Sequence, residues 1–292
     1  MHSEEVEIDA ALVSRLVRDQ FPEWSGLPIT PVPTGTVNAI FRLGEDMVVR
    51  LPRIHWWAED LERELAILPK LAGQLPLEVP IPLRQGAAGN GYPFTWAVYQ
   101  WIPGDPWKDD LVADPARAAH DLAGFVSYLH GLDTAGAPDS RRGEPLHSQD
   151  RKTRDAIAGF GDELDSSLVT ALWDEALDLP QWKRRPVWLH GDLMPTNILV
   201  DEGRIVAVLD FGLSGVGDPA ADMLPAWCLF TQAARRVYRD SIGPDEATWR
   251  RGRGWALSLA LQLVPYYTDT APHFAEVGRR MLAEVVDDAR NR

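Results

Sequence analysis

The alternation of apolar and polar positions in the first third of the chain predicts a β-rich region containing one helix. Residues 37–51 hold two alternating runs, VNAIFRL and MVVRL, joined by a Gly-Glu-Asp turn, which is typical of a hairpin. Residues 58–68 instead repeat apolar positions every three or four residues and begin with acids, as helices do. Pro69 is expected to kink or end this helix. Further strands are predicted at 79–84 and 94–102.

Helical spacing becomes dominant after Pro103-Gly104. The run PARAAHDLAGFVSYLHG at 115–131 begins with Pro and ends with Gly, the usual asymmetry of a helix. A polar segment rich in Gly, Pro and Ser at 133–150 is expected to be a loop. Two short apolar strands, NILV and RIVAVLD, interrupt the helical region. Helical patterns also occur at 9–21, 151–180, 219–241, 245–265 and 272–290.

These elements predict an α+β protein with two lobes. The N-terminal lobe, 1–102, is β-rich with one intervening helix, and a hinge is expected at about 99–103. The C-terminal lobe, 103–292, is mostly helical and carries one hairpin.

Composition narrows the classes of partner. The 292 residues are 45% hydrophobic and 25% charged, which is ordinary for a globular protein, and the single cysteine, Cys228, lies in an apolar run and is expected in the core. The acidic N-terminus has no signal-peptide core, and no apolar run reaches the ~18 residues of a membrane span, so we expect a cytoplasmic protein without a membrane partner. A net charge of −14 disfavours nucleic acid and suits a cationic small substrate. Nothing requires an oligomer, so a monomer is expected.

The chemistry is carried by residues 187–212, VWLHGDLMPTNILVDEGRIVAVLDFG. Asn197 follows Asp192 by five positions, and Asp210-Phe211-Gly212 begins thirteen positions after Asn197. This spacing resembles the catalytic-loop pattern of protein kinases, H-R-D-x-x-x-x-N followed by D-F-G. Phosphoryl transfer needs a carboxylate that orients and deprotonates the incoming hydroxyl, and it needs oxygen ligands for Mg²⁺. Asp192 can serve the hydroxyl, while Asn197 and Asp210 can hold the metal.

This segment resembles the aminoglycoside phosphotransferase family, a group of protein-kinase-like enzymes that phosphorylate small molecules. The His-Gly-Asp form and the following GVGDPAADML at 215–224 are both similar to that family. The resemblance implies a bilobal protein-kinase-like fold. It also implies that Asp222 stands at the start of the next helix and hydrogen-bonds to the backbone of the catalytic loop. His190 is expected to support that loop, and Asp218 is expected to cap the helix that Asp222 starts.

The resemblance further implies that Asp192 is the catalytic base and that Asn197 and Asp210 are Mg²⁺ ligands. It implies that Glu64 pairs with the basic residue of the strand MVVRL, with Glu62 as the nearby alternative. That basic residue, a lysine in the family, is Arg50 here. Arginine keeps the positive charge and can fork onto two phosphate oxygens, but it is not equivalent to lysine.

The nucleotide is expected to be ATP, with GTP as the alternative. The carbonyl of Gln100 and the amide of Ile102 would bond to its adenine edge. The turn that covers its phosphates would include Thr34 and Asn38, although an ordinary β-turn is an equal alternative because only one glycine is present.

A short link from Asp-Phe-Gly to the next helix, without an Ala-Pro-Glu sequence, leaves no platform for a peptide, so the acceptor is expected to be a small molecule. An aminoglycoside-type antibiotic fits the acidic surface. The alternatives are another small alcohol (a macrolide, a choline-like amine or a sugar metabolite) and a non-catalytic nucleotide-binding module. The carboxylates that could hold a cationic acceptor are Asp155, Asp162, Glu163, Asp165, Asp269 and Glu276. For each of them the alternative is a place on a solvated helix face.

Overall fold

The computed structural model of the chain describes residues 5–32, 38–161 and 164–290. These residues form two compact units. One contains the chain up to Pro103 together with Ala207–Gly212, and the other contains Gly104–Val206 and the chain from Leu213 onward. The segment Ala207–Gly212, which contains Asp210, therefore packs with the first unit although it lies far along the chain.

The first unit is built on a five-stranded antiparallel sheet with strand order β1-β2-β3-β5-β4. The hairpin predicted at 37–51 forms its centre, with Leu43 paired to Met47 across the turn. Buried and partly exposed residues alternate along β2, because one face of the sheet packs on a core. The strands are β1 Ile29–Pro31, β2 Asn38–Leu43, β3 Met47–Pro52, β4 Pro82–Gly86 and β5 Trp96–Gln100.

Helix α1, Ala10–Gln20, covers one face of the sheet. Its apolar side contributes the buried residues Leu12, Val13, Leu16 and Val17 to a core shared with the strands. The amide of Leu12 donates to the Asp9 side chain, 2.7 Å away, and this contact caps the helix.

Helix α2 spans His55–Leu71 and so begins earlier and ends later than the pattern predicts. Pro69 lies inside it and does not end it. Proline removes one backbone donor, so the Leu65 carbonyl loses its usual helical partner, and the helix continues for only two residues beyond Pro69. The strand predicted at 79–84 is also displaced, because β4 begins at Pro82.

The second unit is mainly helical around α8, in which residues 251–261 are all buried. It contains the small sheets β6-β8-β9 and β10-β7, although the last two residues of β9 belong to the first unit. The helices are α3 Pro115–His130, α4 Asp150–Gly159, α5 Ser166–Leu177, α6 Pro225–Cys228, α7 Gln232–Ile242, α8 Glu246–Tyr267 and α9 Pro272–Arg290. The strands are β6 Asp105–Pro106, β7 Val187–Leu189, β8 Ile198–Asp201, β9 Arg204–Val208 and β10 Gly215–Gly217.

The helix predicted at 219–241 is three separate pieces. A short 3-10 helix, Pro219–Met223, precedes α6 and α7. Pro219 and Pro225 stand at the start of the first two pieces, where a missing backbone donor costs least. In the part of the chain that the structure describes, no helix is both long and apolar enough to cross a membrane.

Replacing Leu16 by alanine should lower the free energy of unfolding by about 2–5 kcal/mol, because its side chain is fully buried between α1 and the sheet. Leu27→Ala is the control, since Leu27 is 36% exposed, and its loss should stay near about 0.5 kcal/mol. Urea unfolding followed by tryptophan fluorescence measures both. Equal losses would contradict the packing of α1 on the sheet.

Candidate active site

The loop after β7 brings Asp192 and Asn197 into direct contact. The side-chain amide of Asn197 donates to the Asp192 carboxylate at 3.0 Å and to the Asp192 carbonyl at 2.8 Å. The amide of Asp192 donates to Nδ1 of His190 at 3.1 Å. The Asn197 carbonyl oxygen Oδ1 accepts a long hydrogen bond from the Thr196 hydroxyl at 3.5 Å, and its second lone pair could bind a metal.

A buried carboxylate supports this loop from below. Asp222 is fully buried and accepts the backbone amides of His190, at 3.0 Å, and Gly191, at 2.8 Å. His130, the last residue of α3, lies 3.0 Å from the same carboxylate. Tyr238 donates to the Asp222 carbonyl at 2.6 Å. Asp222 therefore fixes the backbone directly before Asp192.

The glycine of His-Gly-Asp is required by the turn. Gly191 has φ of +83°, a left-handed conformation that glycine adopts without strain. An added Cβ would also lie 3.2 Å from the Leu213 carbonyl. Together these explain why this loop carries glycine between His190 and Asp192.

In the first unit, the buried carboxylate of Glu64 gathers three donors. Arg50 donates through one nitrogen to both Glu64 oxygens, at 2.8 and 3.1 Å. The hydroxyl of Tyr99 donates at 2.6 Å, and the backbone amide of Phe211 donates at 2.8 Å. Glu62, the alternative partner, instead accepts a hydrogen bond from Thr95 at 2.7 Å. Arg50 therefore pairs with Glu64.

Electrostatics strengthen this cluster. Burial alone would lower the pKa of Arg50, but the carboxylates of Glu64 and Asp210 raise it well above its usual value, so the guanidinium stays charged. Burial, followed by the negative charge of Glu64, raises the pKa of Tyr99, so its hydroxyl remains a donor.

Asp210 adopts a left-handed backbone conformation, with φ of +65°. Its side chain is 35% exposed, and its Oδ1 lies 3.7 Å from the second terminal nitrogen of Arg50. The described residues hold no group of three or more His, Cys, Asp and Glu side chains that could bind a metal. Mg²⁺ needs only one or two protein oxygens when phosphates and water complete its octahedron. The Asp210 carboxylate of the first unit and, separately, the Asn197 carbonyl oxygen of the second unit are donors of that kind.

The expected hinge ends the first unit. The amide of Gln100 already donates to the Ile81 carbonyl at 3.0 Å, whereas that of Ile102 has no acceptor among the described residues. Asn38 is buried, and its Oδ1 likewise has no partner within the described ranges. Thr34 lies outside the described residues.

The predicted acceptor carboxylates do not form one cluster in the part that is described. Asp165 accepts the Leu168 amide at 3.0 Å and caps α5, which is a structural role. Asp155, Asp269 and Glu276 are exposed on α4, after α8 and on α9. Asp162 and Glu163 lie outside the described residues.

Two contacts were missed by the sequence reasoning, namely Tyr99 on Glu64 and His130 on Asp222. The position of Tyr99 in the predicted strand gave no information about its partner. His130 stands directly before the glycine that ends α3, which was a weak signal. Asp218 accepts the Ala220 amide at 3.0 Å, and its carboxylate also pairs with buried Arg251 at 2.7 Å.

Comparison with known proteins identifies the family of the chain. The model of the phosphotransferase enzyme family matches residues 28–255, so the chain belongs to that family. Viomycin phosphotransferase of Streptomyces vinaceus is 30% identical over 193 residues, which cover 62% of this chain and 67% of the relative. An aminoglycoside 3'-phosphotransferase of Salmonella typhimurium is 28% identical over 37% of this chain, and the match spans only 42% of that enzyme.

Solved structures share the fold. The GDP and kanamycin complex of APH(2")-IIia has a TM-score of 0.76 at 21% identity and covers 96% of this chain and 99% of its own. Macrolide 2'-phosphotransferase MphH from Brachybacterium faecium has a TM-score of 0.64 at 23% identity, with 94% and 98% covered. The predicted α+β, protein-kinase-like fold and the predicted family are confirmed.

The chain is therefore a small-molecule kinase. This finding supports the predicted enzyme over the alternative of a non-catalytic nucleotide-binding module. Kinase-like phosphotransferases use a nucleotide and a divalent metal.

Replacing Tyr99 by phenylalanine should cost about 1.5–3 kcal/mol of unfolding free energy, because it removes a donor from a buried carboxylate. Tyr92→Phe is the control: its buried hydroxyl donates to the neutral Pro52 carbonyl, so the loss should be about 0.5–1.5 kcal/mol. Urea denaturation of both variants gives the comparison. A loss at Tyr99 no larger than that at Tyr92 would contradict the role of Glu64 as the charged centre of the cluster.

Proposed function

We propose that the chain transfers the γ-phosphate of ATP to a hydroxyl group of a cationic small molecule of the aminoglycoside type. The observation that carries this proposal is the contact between Asn197 and Asp192, which holds the carboxylate in place. A base that is already oriented loses little freedom when the acceptor binds, and positioning is a large part of catalysis in phosphoryl transfer.

Asp192 is proposed to accept the proton of the acceptor hydroxyl as that hydroxyl attacks phosphorus. Its partly exposed carboxylate can meet the hydroxyl, while its backbone is fixed through His190 and Asp222. Asn197 has two tasks in this proposal: its nitrogen orients Asp192 and its oxygen binds the metal. Bound Mg²⁺·ATP supplies the phosphoryl group and neutralises charge that develops on it.

Asp210 and Arg50 are proposed to bind the rest of the nucleotide-metal complex. The carboxylate of Asp210 is the second metal ligand, and the guanidinium of Arg50 clamps the α- and β-phosphates. Glu64 keeps that guanidinium in position through two hydrogen bonds. Asn38 and Thr34, of which the latter lies outside the described residues, are proposed to cover the phosphates, while the Gln100 carbonyl and the Ile102 amide are proposed to bind the adenine edge.

A cationic acceptor is supported by two observations. The formal net charge of −14 attracts polyamines. The similar sequences include enzymes named for viomycin and for aminoglycosides, both of which are basic antibiotics. The similarity to a macrolide phosphotransferase structure makes macrolides the second acceptor class to be assayed. We further propose that the protein acts in the cytoplasm as a monomer.

Asp192→Asn should reduce Mg²⁺-dependent phosphorylation of an accepted substrate by about a hundredfold or more, because the proton acceptor is lost while the shape is kept. Coupled detection of ADP with kanamycin, viomycin and a macrolide as acceptors measures the rate. Asp201→Asn is the control, since Asp201 is exposed at the end of β8, the strand that follows the loop carrying Asp192. An Asp192 variant with the wild-type rate would exclude this mechanism.

Asp210→Asn should remove the increase in ATP affinity that Mg²⁺ gives to the wild type, because a charged metal ligand is replaced by a neutral one. Asparagine tolerates the left-handed backbone of this position, so the fold should be kept. Calorimetric titration of ATP with and without Mg²⁺ measures the effect. Glu202→Gln is the control because Glu202 has φ of +47° and is exposed. If the Asp210 variant kept its full Mg²⁺ dependence, the ligand assignment would be wrong.

A further inference from the structure

Trp107 is bound to the loop that carries Asp192. Its backbone amide donates to the carbonyls of Pro195, at 3.1 Å, and Ile198, at 2.8 Å. Its indole is buried and packs edge-on against Phe230, with ring centroids 5.7 Å apart. The segment directly after β6 therefore has a fixed position beside the catalytic loop.

This tryptophan holds Asp109 in place. The indole nitrogen of Trp107 donates to the Asp109 carboxylate at 3.1 Å. The carboxylate nevertheless remains 58% exposed. An exposed acid is thus held two residues from an anchor on the catalytic loop.

Arg280 of α9 forms an ion pair with the Asp109 carboxylate. One terminal nitrogen donates to both Asp109 oxygens, at 2.9 and 2.7 Å, and the other donates to the Leu229 carbonyl at 2.9 Å. The Arg280 side chain is 30% exposed. The pair therefore joins α9 to the anchored segment at a surface that solvent and ligands can reach.

The ion pair is connected to the catalytic loop through two neighbouring residues. Arg280 donates to the Leu229 carbonyl, and the thiol of the preceding residue, Cys228, donates to the Leu193 carbonyl at 3.4 Å, next to Asp192. Arg280 and the loop that carries Asp192 therefore contact consecutive residues of the chain.

We infer that Asp109 binds an ammonium group of the cationic acceptor and that Arg280 fills this place until the acceptor arrives. The inference rests on the proposed function and deepens it, because it names a residue that selects cationic acceptors. Replacing a guanidinium by an ammonium conserves the local charge. The exchange costs little, since exposed ion pairs contribute little free energy. Arg280 keeps its hydrogen bond to the Leu229 carbonyl after it leaves Asp109.

The alternative is that the pair is only a latch between α9 and the segment after β6. A latch would support stability and turnover without regard to the charge of the acceptor. The two accounts predict different effects of replacing Arg280 on the acceptor Kd. Removal of a competing cation lowers the Kd, whereas removal of a latch does not.

The test compares Arg280→Gln and Asp109→Asn in the full chain, with kanamycin and viomycin as probes. Calorimetry gives the acceptor Kd, and ADP detection gives KM and kcat for the acceptor and KM for ATP. Arg280→Gln should lower the acceptor Kd by about threefold to fivefold, and Asp109→Asn should raise it by about fivefold. The KM for ATP should not change in either variant. Asp174→Asn is the matched control, because Asp174 forms a comparably exposed pair with Arg154 on α5 and α4.

Three results would overturn the inference. Unchanged acceptor Kd and KM in both variants, with phosphorylation of cationic acceptors intact, would reject Asp109 while the proposed function stands. Lower kcat or melting temperature without the predicted changes in acceptor Kd would leave only the latch. If neither probe binds and neither is phosphorylated, the acceptor class of the proposed function falls and this inference falls with it. Asp192-dependent phosphorylation of an uncharged alcohol would then show that the kinase assignment itself survives.

Discussion

The fully buried carboxylate of Glu64 is the contact on which the nucleotide side of the site depends. A charge removed from water is costly unless donors replace the water, and Glu64 receives them from Arg50, Tyr99 and Phe211. These donors come from β3, from β5 and from a segment more than a hundred residues farther along the chain. Glu64 of α2 therefore holds Arg50 of β3 and the backbone of the Asp-Phe-Gly turn next to each other.

The second unit also contains a buried carboxylate that holds a backbone segment, formed by different residues. Asp222 is also fully buried, and it accepts two successive backbone amides from the loop that presents Asp192. In both units a buried acid holds the backbone, and a partly exposed acid, Asp210 or Asp192, lies next to that backbone. These two partly exposed acids are the ones to which we assign the chemistry. The architecture therefore explains why the acids occur where they do in the sequence.

The sequence predicted the fold and the class of enzyme better than it predicted the contacts of individual side chains. The spacing of Asp192, Asn197 and Asp210 was informative because a short hairpin fixes their separation along the chain. Periodicity located most elements, yet it could not anticipate that Pro219 and Pro225 divide one apolar run into separate helices. It also could not assign Tyr99 to Glu64, since a pattern of burial does not say which polar group a buried hydroxyl meets. Asp165 looked like any other surface acid until its contact with the Leu168 amide identified it as a helix cap.

Arginine at position 50 is the clearest departure from the family pattern, and its geometry suggests what the change provides. One terminal nitrogen serves Glu64 while the other faces Asp210 at 3.7 Å, a division that a single ammonium group cannot reproduce. Mass spectrometry of kanamycin and viomycin after incubation with the protein, Mg²⁺ and ATP tests the central claim most directly. The account predicts one added phosphate on a hydroxyl of a cationic acceptor, and none when Asp192 is replaced by asparagine. ATP consumption that leaves every cationic acceptor unmodified would contradict it.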